Sequence, residues 1–582
     1  MLKLANKYLC SMLKIGGQSS AKKGTTIIGI LFTALFGLNF LSSCNYKSEK
    51  ADVVFHNLQL IDCDGVGKEE AVKSAIAVVD GRIVAIGAEQ SIRNAYRADE
   101  FIDLKQAFVY PGFIDAHSHF LGYSLNKAKV DLVGTVSYEE VLERVVEYSS
   151  SLPINTSWIT GRGWDQNDWD TPLYPTRLEL DSIFPDRPVA IRRIDGHALL
   201  ANRKALELAG MFSLNHSSHI SGGEVHFLSD GTPSGILVDE AADLLLGKIP
   251  SPDTGTRRHA LIEGEKDMFK AGLTTVSDAG IEVSDIDLIN SLHESGDLSI
   301  RVVAMFSGTQ PNLDQAFERG PFRTDRLTAE AIKFYMDGAL GSRGAALLEP
   351  YSDRPDFSGY LMQDSASYRD ALVRAHDLEF QVCTHGIGDR AVHHILEHYN
   401  EVLGGVNDRR WRIEHSQVVS TDDLHLYKSA CVIPSIQPTH ATSDMYWAGE
   451  RLGKGRIRRA YRYQDLKNIL GMVSLGTDFP IEDISPLKTY YAATIRKDPE
   501  GYPDGGFNMD QALDRNSALL GMTLWASIAN KTESEVGSIE VGKWADFVVL
   551  DRNLLTTPED LILNSKILRT VVAGKTVYNA HK

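Results

Sequence analysis

Eight short apolar runs, most of them separated by segments with helical periodicity, constrain this chain more than any other feature of its sequence. They fall at residues 113–116, 273–277, 300–306, 331–336, 380–384, 411–414, 432–437 and 472–476. Strands that are covered on both faces by crossover helices read as continuous Val, Ile and Leu, without the alternation of a half-exposed strand. Eight such units predict an α/β fold, a (β/α)8 TIM-like barrel whose chemistry gathers at the carboxyl ends of the strands. Segments such as 367–377 and 390–403 supply the helices. No ordinary crossover spans the distance from Ala116 to Leu273, so a large insertion is expected after strand one, over residues 125–266. The barrel is then expected over 113–124 and 267–535.

Strand-like texture returns at both ends of the chain. Runs at 53–61, 75–79 and 83–87, the last two separated by Asp80-Gly81, read as strands with a hairpin turn. Runs at 545–550 and 567–577 read the same way. Either group alone is short of a core, so the two are expected to form one small β-sandwich domain from residues 53–112 and 536–582. With 43% apolar residues, the chain carries enough hydrophobic surface for several such units.

The start of the chain has another texture. Lys22 and Lys23 precede an apolar run at 25–41, which meets Ser42, Ser43 and Cys44. A basic start, a short apolar middle and small residues before a cleavage point predict a signal peptide over 1–43. Leu41-Ser42-Ser43-Cys44 resembles a bacterial lipobox, which implies lipidation of Cys44 and a polar tether over 44–52. The expectation is an exported lipoprotein, on the outer membrane or otherwise facing the periplasm, with Met1 or Met12 as its start. A formal charge of −17 argues against nucleic acid as a partner, because neutralising phosphates needs clustered Lys and Arg. Cys63, Cys383 and Cys431 have no paired spacing, and no disulfide framework is expected.

The chemistry is concentrated at the ends of the barrel runs. In Phe113-Ile114-Asp115-Ala116-His117-Ser118-His119, residues i and i+2 of an extended segment point the same way, so His117 and His119 can offer two imidazoles to one ion. Lys333 sits inside the apolar fourth run, where an unpaired ammonium is costly and its pKa falls. His385, His415 and Asp478 stand at the ends of the fifth, sixth and eighth runs. A barrel brings all six to one mouth.

This set, together with PGFIDAHSH, GRGWDQNDW, IKFYMDGALGSRGAALLEPYSD, THGIGDRAV, RIEHSQ, SIQPTH and GTDFP, resembles the amidohydrolase superfamily, in the branch containing N-substituted formamide deformylases. The resemblance implies one or two divalent ions, zinc first, with His117 and His119 on the more buried ion and His385 and His415 on the other. It implies Lys333 carboxylated by carbon dioxide into a bridging carbamate. Asp478 would bind metal and act as general base toward a metal-activated water. The implied activity is hydrolysis of a carbon–nitrogen bond in a small-molecule amide or formamide, with a homodimer also implied. A deaminase or cyclic amide hydrolase of the same superfamily, and a surface-anchored binding protein without turnover, are the competing readings.

Substrate contacts are expected from His197 in the insertion, Arg343 in the loop after Lys333, His440 after the seventh run, and Trp164. Asp115 is expected to orient ligands. His394 and His398 lie four residues apart on a helical segment without an acid suitably placed beside them, and are expected on a solvated face.

Overall fold

The structure is a computed structural model, described over residues 48–581 apart from 62–73, 128, 152–157, 172, 194–197, 216–217, 219, 221–222 and 342. The signal peptide and Cys44 lie outside the described residues. Among the described residues no helix is long and apolar enough to cross a membrane.

The central sheet contains eight parallel strands: Phe113–Ser118, Leu273–Ile281, Arg301–Ser307, Leu327–Tyr335, Gln381–Gly386, Arg412–His415, Ile433–Ile436 and Ser474–Leu475. Each pairs in parallel register with its neighbour in sequence order. They form a nearly closed barrel, and the segment after strand eight completes the seam with strand one. There the Asp478 amide donates to the His117 carbonyl at 2.8 Å and the His119 amide to the Phe479 carbonyl at 2.8 Å. Gly476 makes this approach possible, because a Cβ at that position would stand 2.5 Å from the His117 nitrogen. Helices such as Ser365–Asp377 and Asp389–Leu403 cover the outside, burying Leu372, Ile395, Leu396 and Tyr399 against the strands.

Strands from both ends of the chain share one seven-stranded sheet. Its central join is antiparallel, Phe547 opposite Pro111 and Val549 opposite Val109. The sheet curls so that its far hairpin returns to the same region: the Ala545 amide donates to the Gly81 carbonyl at 2.8 Å and Gly542 to Ile83 at 2.8 Å. Phe55, Ile76, Val78, Phe547 and Val571 fill the enclosed space. The expected tether is shorter than the sequence suggests, since the first strand, Glu49–Leu60, already pairs Glu49 with Tyr96 and Lys50 with Arg97. Backbone pairing offsets the polarity of these residues, which hydropathy alone cannot register.

Between the first and second barrel strands the chain builds a separate six-stranded sheet, from Val130–Asp131 through Pro233–Asp239. The boundary expected at residue 266 falls inside the helix Thr254–Lys270, whose Gly264 packs against Ser124 of the helix Phe120–Lys127. The barrel layer therefore resumes earlier than expected. Trp164, expected to touch substrate, is wholly enclosed in this sheet's own core beside Trp169, and its indole N–H donates to the Ile191 carbonyl at 3.0 Å. With no exposed face and its one polar atom satisfied, it is a packing residue.

Candidate metal centre

Four imidazoles, one amine and one carboxylate converge at the carboxyl ends of the strands. His117 and His119 leave strand one with ring centroids 5.7 Å apart, and His117 stands 5.0 Å from His415. His385 and His415, from strands five and six, are 4.4 Å apart. The Lys333 amine lies 3.4 Å from Nε2 of His117. Oδ1 of Asp478 is 3.1 Å from Nε2 of His119 and 3.5 Å from Nε2 of His117. His440, from the helix Pro438–Asp444 after strand seven, stacks on His415 at 5.8 Å and brings its Nε2 to 3.6 Å from Oδ2 of Asp478.

Two of these residues adopt a backbone conformation that side chains rarely take. His415 has φ of 71° and Asp478 φ of 65°, both in the left-handed region at the point where a strand ends. Such conformations persist only where surrounding structure holds them, and they re-aim a side chain that the strand would otherwise point elsewhere.

The ligand atoms fit a metal ion. Those of His117, His119 and Asp478 lie within 4.8 Å of one another, and so do those of His415, His440 and Asp478. Nε2 of His385, Nδ1 of His415 and Nε2 of His440 are buried without a hydrogen-bond partner among the described residues. Buried polar atoms left unpaired are rare, and a shared ion satisfies several at once. Burial pushes His117 down to about 4 and His385 to about 3, with Lys333 adding to both, and pushes His415 well below its ordinary value. The rings are therefore neutral near pH 7 and ready as ligands. Burial also lowers Lys333, against the opposing charges of Glu414 and Asp478. Asp478 is held well below the usual carboxylate range, the cost of burial being outweighed by the imidazoles beside it, that of His119 at 3.1 Å first.

Three supporting residues escaped the sequence reading. Glu414 lies 2.5 Å from Nδ1 of His117 and accepts from Nε of Arg412 at 2.7 Å, while Nη2 of Arg412 donates to the Ala116 carbonyl at 2.8 Å. Asp337 accepts from the amides of Ala346, Ile387 and Gly388 at 2.8, 3.0 and 2.8 Å and sits 3.6 Å from Nε2 of His385. The signal for the first two was present: Arg and Glu two apart in the apolar run of RIEH need each other if both are buried. Asp115, expected to orient ligands, accepts from the Thr477 amide and hydroxyl and the His117 amide, so it joins the first and last strands.

The remaining expected contacts divide. Arg343 forks onto Asp353 at 2.8 and 3.1 Å, and Arg451 takes the same carboxylate at 2.6 Å. His197 lies outside the described residues.

A parallel barrel whose strand ends carry histidines, a buried lysine and an aspartate around one point defines a barrel metallohydrolase. Residues 100–578 match the model of the amidohydrolase family, and the chain belongs to that family. It is 30% identical over 520 residues to the Protein LONG AFTER FAR-RED 3 of Arabidopsis thaliana, covering 87% of this chain and 88% of that one. It is 26% identical over 531 residues to the N-substituted formamide deformylase of Arthrobacter pascens, covering 88% and 95%. Its fold matches the crystal structure of an uncharacterized metal-dependent hydrolase from Pyrococcus horikoshii OT3 with a TM-score of 0.72 and 28% identity, covering 87% and 99%. The chain is a metal-dependent amidohydrolase, an enzyme acting on carbon–nitrogen bonds.

Proposed function

We propose that the centre hydrolyses N-substituted amides, formamides among them, with zinc held by His117, His119, His385, His415 and Asp478 and with Lys333 carried as its carbamate. The convergence of unpartnered imidazole nitrogens on Asp478 at the barrel mouth supports this reading most directly. A divalent ion at such a site polarises the amide carbonyl and lowers the pKa of water toward about 7.

The chain's own residues do the rest. Asp478, ionised and backed by His119, takes a proton from the attacking water and returns it to the leaving nitrogen, so acid and amine are the products. His440 brings its Nε2 to 3.6 Å from Oδ2 of the same carboxylate, at the edge of the centre, where it can meet substrate. Neutral Lys333 is the form of the amine that adds carbon dioxide; its nitrogen sheds one proton as the carbamate forms, and the anion would offer a hard oxygen ligand in place of the amine. The lipobox-like LSSC segment supports attachment through a lipid on Cys44, which would place the enzyme on the periplasmic side of a bacterial envelope.

Metal-stripped enzyme reconstituted with zinc and offered a panel of N-formyl and N-acyl amines tests the reading. Free carboxylic acid without ammonia is expected, lost on stripping and reduced roughly 10²- to 10⁴-fold by Asp478→Asn. Ammonia released from an amino-substituted ring, with the amides untouched, would make the enzyme a deaminase instead.

A further inference from the structure

A second convergence of imidazoles lies outside the barrel. Helix Ser365–Asp377 precedes the strand that carries His385, and helix Asp389–Leu403 follows it. His394 and His398 are one turn apart on the second helix, so they rise from the same face. Against the expectation of a solvated face, His398 is buried and His394 half-buried. Their Nε2 atoms are 3.3 Å apart, and Oγ of Ser365, from the first helix, is 3.0 Å from Nε2 of His398.

This arrangement crowds three polar side chains around one nitrogen. Two neighbours stand within hydrogen-bond distance of Nε2 of His398, while its Nδ1 is buried without a partner among the described residues. A tetrahedral ion with imidazole nitrogens at about 2.0–2.1 Å holds those nitrogens about 3.3 Å apart, which is the spacing found here. Glu397 and Glu401 on the same helix favour a cation here, against the charges of Arg390 and of Arg369, which Glu401 pairs at 2.7 Å. Burial lowers both histidines, so both are neutral at physiological pH.

The pair is separate from the catalytic centre. Tyr368 packs its ring 5.6 Å from that of His398 and places its hydroxyl 2.8 Å from Oγ1 of Thr384. Thr384 and His385 are neighbours on one strand and so point to opposite faces. His385 faces the barrel interior, and Thr384 faces the helices among which His398 lies.

We propose that His394 and His398, with Ser365 and water completing the shell, bind one divalent transition ion of the zinc or copper class on the helical side of the barrel. Imidazole suits these ions, and an oxygen ligand from the preceding helix would tie together the two helices that flank the His385 strand.

The test uses the full-length enzyme with its catalytic centre already loaded with zinc, titrated with Cu2+ and followed by electron paramagnetic resonance. Wild type is expected to bind one further Cu2+ per chain with hyperfine structure from two imidazole nitrogens. His394→Ala, whose side chain is half-buried and outside the catalytic centre, is expected to lose that ion while its hydrolytic activity and circular dichroism stay unchanged. Added Zn2+ should raise the melting temperature of wild type and leave that of His394→Ala where it was. Equal Cu2+ stoichiometry in the two proteins, or coupling to a single nitrogen, overturns the site.

Discussion

Nδ1 of His117 lies 2.5 Å from Oε2 of Glu414, and neither side chain is exposed to solvent. Arg412, equally buried, keeps Glu414 ionised, and an ionised carboxylate demands the proton on Nδ1. Nε2 of His117 is thereby left with its lone pair toward Lys333 and Asp478. Such outer partners fix the tautomer and raise ligand basicity. Glu414→Gln preserves shape but removes the charge, and is expected to weaken metal binding about 10- to 100-fold, read by competition with a chelator. Unchanged affinity would show that Glu414 only fills space.

The carbamate on Lys333 makes a separate prediction. Intact-mass measurement under carbon dioxide should show one added carboxyl, and enzyme depleted of carbon dioxide should regain activity when bicarbonate is supplied. Lys333→Met is expected to fold, since methionine has a similar reach and removes a buried amine, and to lose activity that bicarbonate does not restore. An unmodified lysine in fully active enzyme rules out the bridging role.

Gly476→Ala tests the barrel seam. A Cβ there meets the His117 backbone nitrogen at 2.5 Å and its Cβ at 2.8 Å, so strand one must move away from the segment carrying Asp478. Overpacking of this kind costs about 1–3 kcal/mol, and here the displacement falls on two ligands at once. Urea denaturation should report that loss, and metal content and activity should drop with it. Full metal occupancy in a destabilised variant would separate seam packing from the centre.

Acid sensitivity has a component remote from the centre. His293 is pushed down to about 4 by burial; its Nε2 is 2.9 Å from the Ile300 carbonyl and its Nδ1 is buried without a partner among the described residues. The folded state thus resists protonation that the unfolded chain accepts below about 6.5. Its contribution is present above that pH and is lost as pH falls toward 4. His293→Gln, which retains a donor for Ile300, is expected to flatten the decline in stability across that window by one proton relative to wild type. Parallel pH profiles of the urea midpoint for the two proteins would dismiss the assignment.

Much of this architecture is legible in local sequence because each barrel strand is a short apolar run covered by helices. His117, His119, His385, His415 and Asp478 stand where those runs stop, and Lys333 interrupts one of them with a charge, so all six are visible as candidates in the sequence. Local sequence pairs Glu414 with Arg412 two residues away, but the roles of Glu414 and Asp337 at the centre depend on His117 and on the amides of Ala346, Ile387 and Gly388, which only the fold brings to them. The motif around Trp164 does not say which side of a sheet its ring faces, and the structure puts that ring in the core of the inserted sheet.

By itself the sequence determined the alternation of strands and helices, the family, and which side chains stand at the strand ends, all of which depend on near neighbours. Tertiary structure decided which of them meet. The Gly476 seam sets Asp478 against His117, left-handed backbone at His415 and Asp478 turns both side chains into the mouth, and Arg412 with Glu414 fixes the tautomer of His117. The contact of Gly476 with His117 and that of Glu414 with His117 join atoms made adjacent only by closing the barrel, so no local pattern carries them.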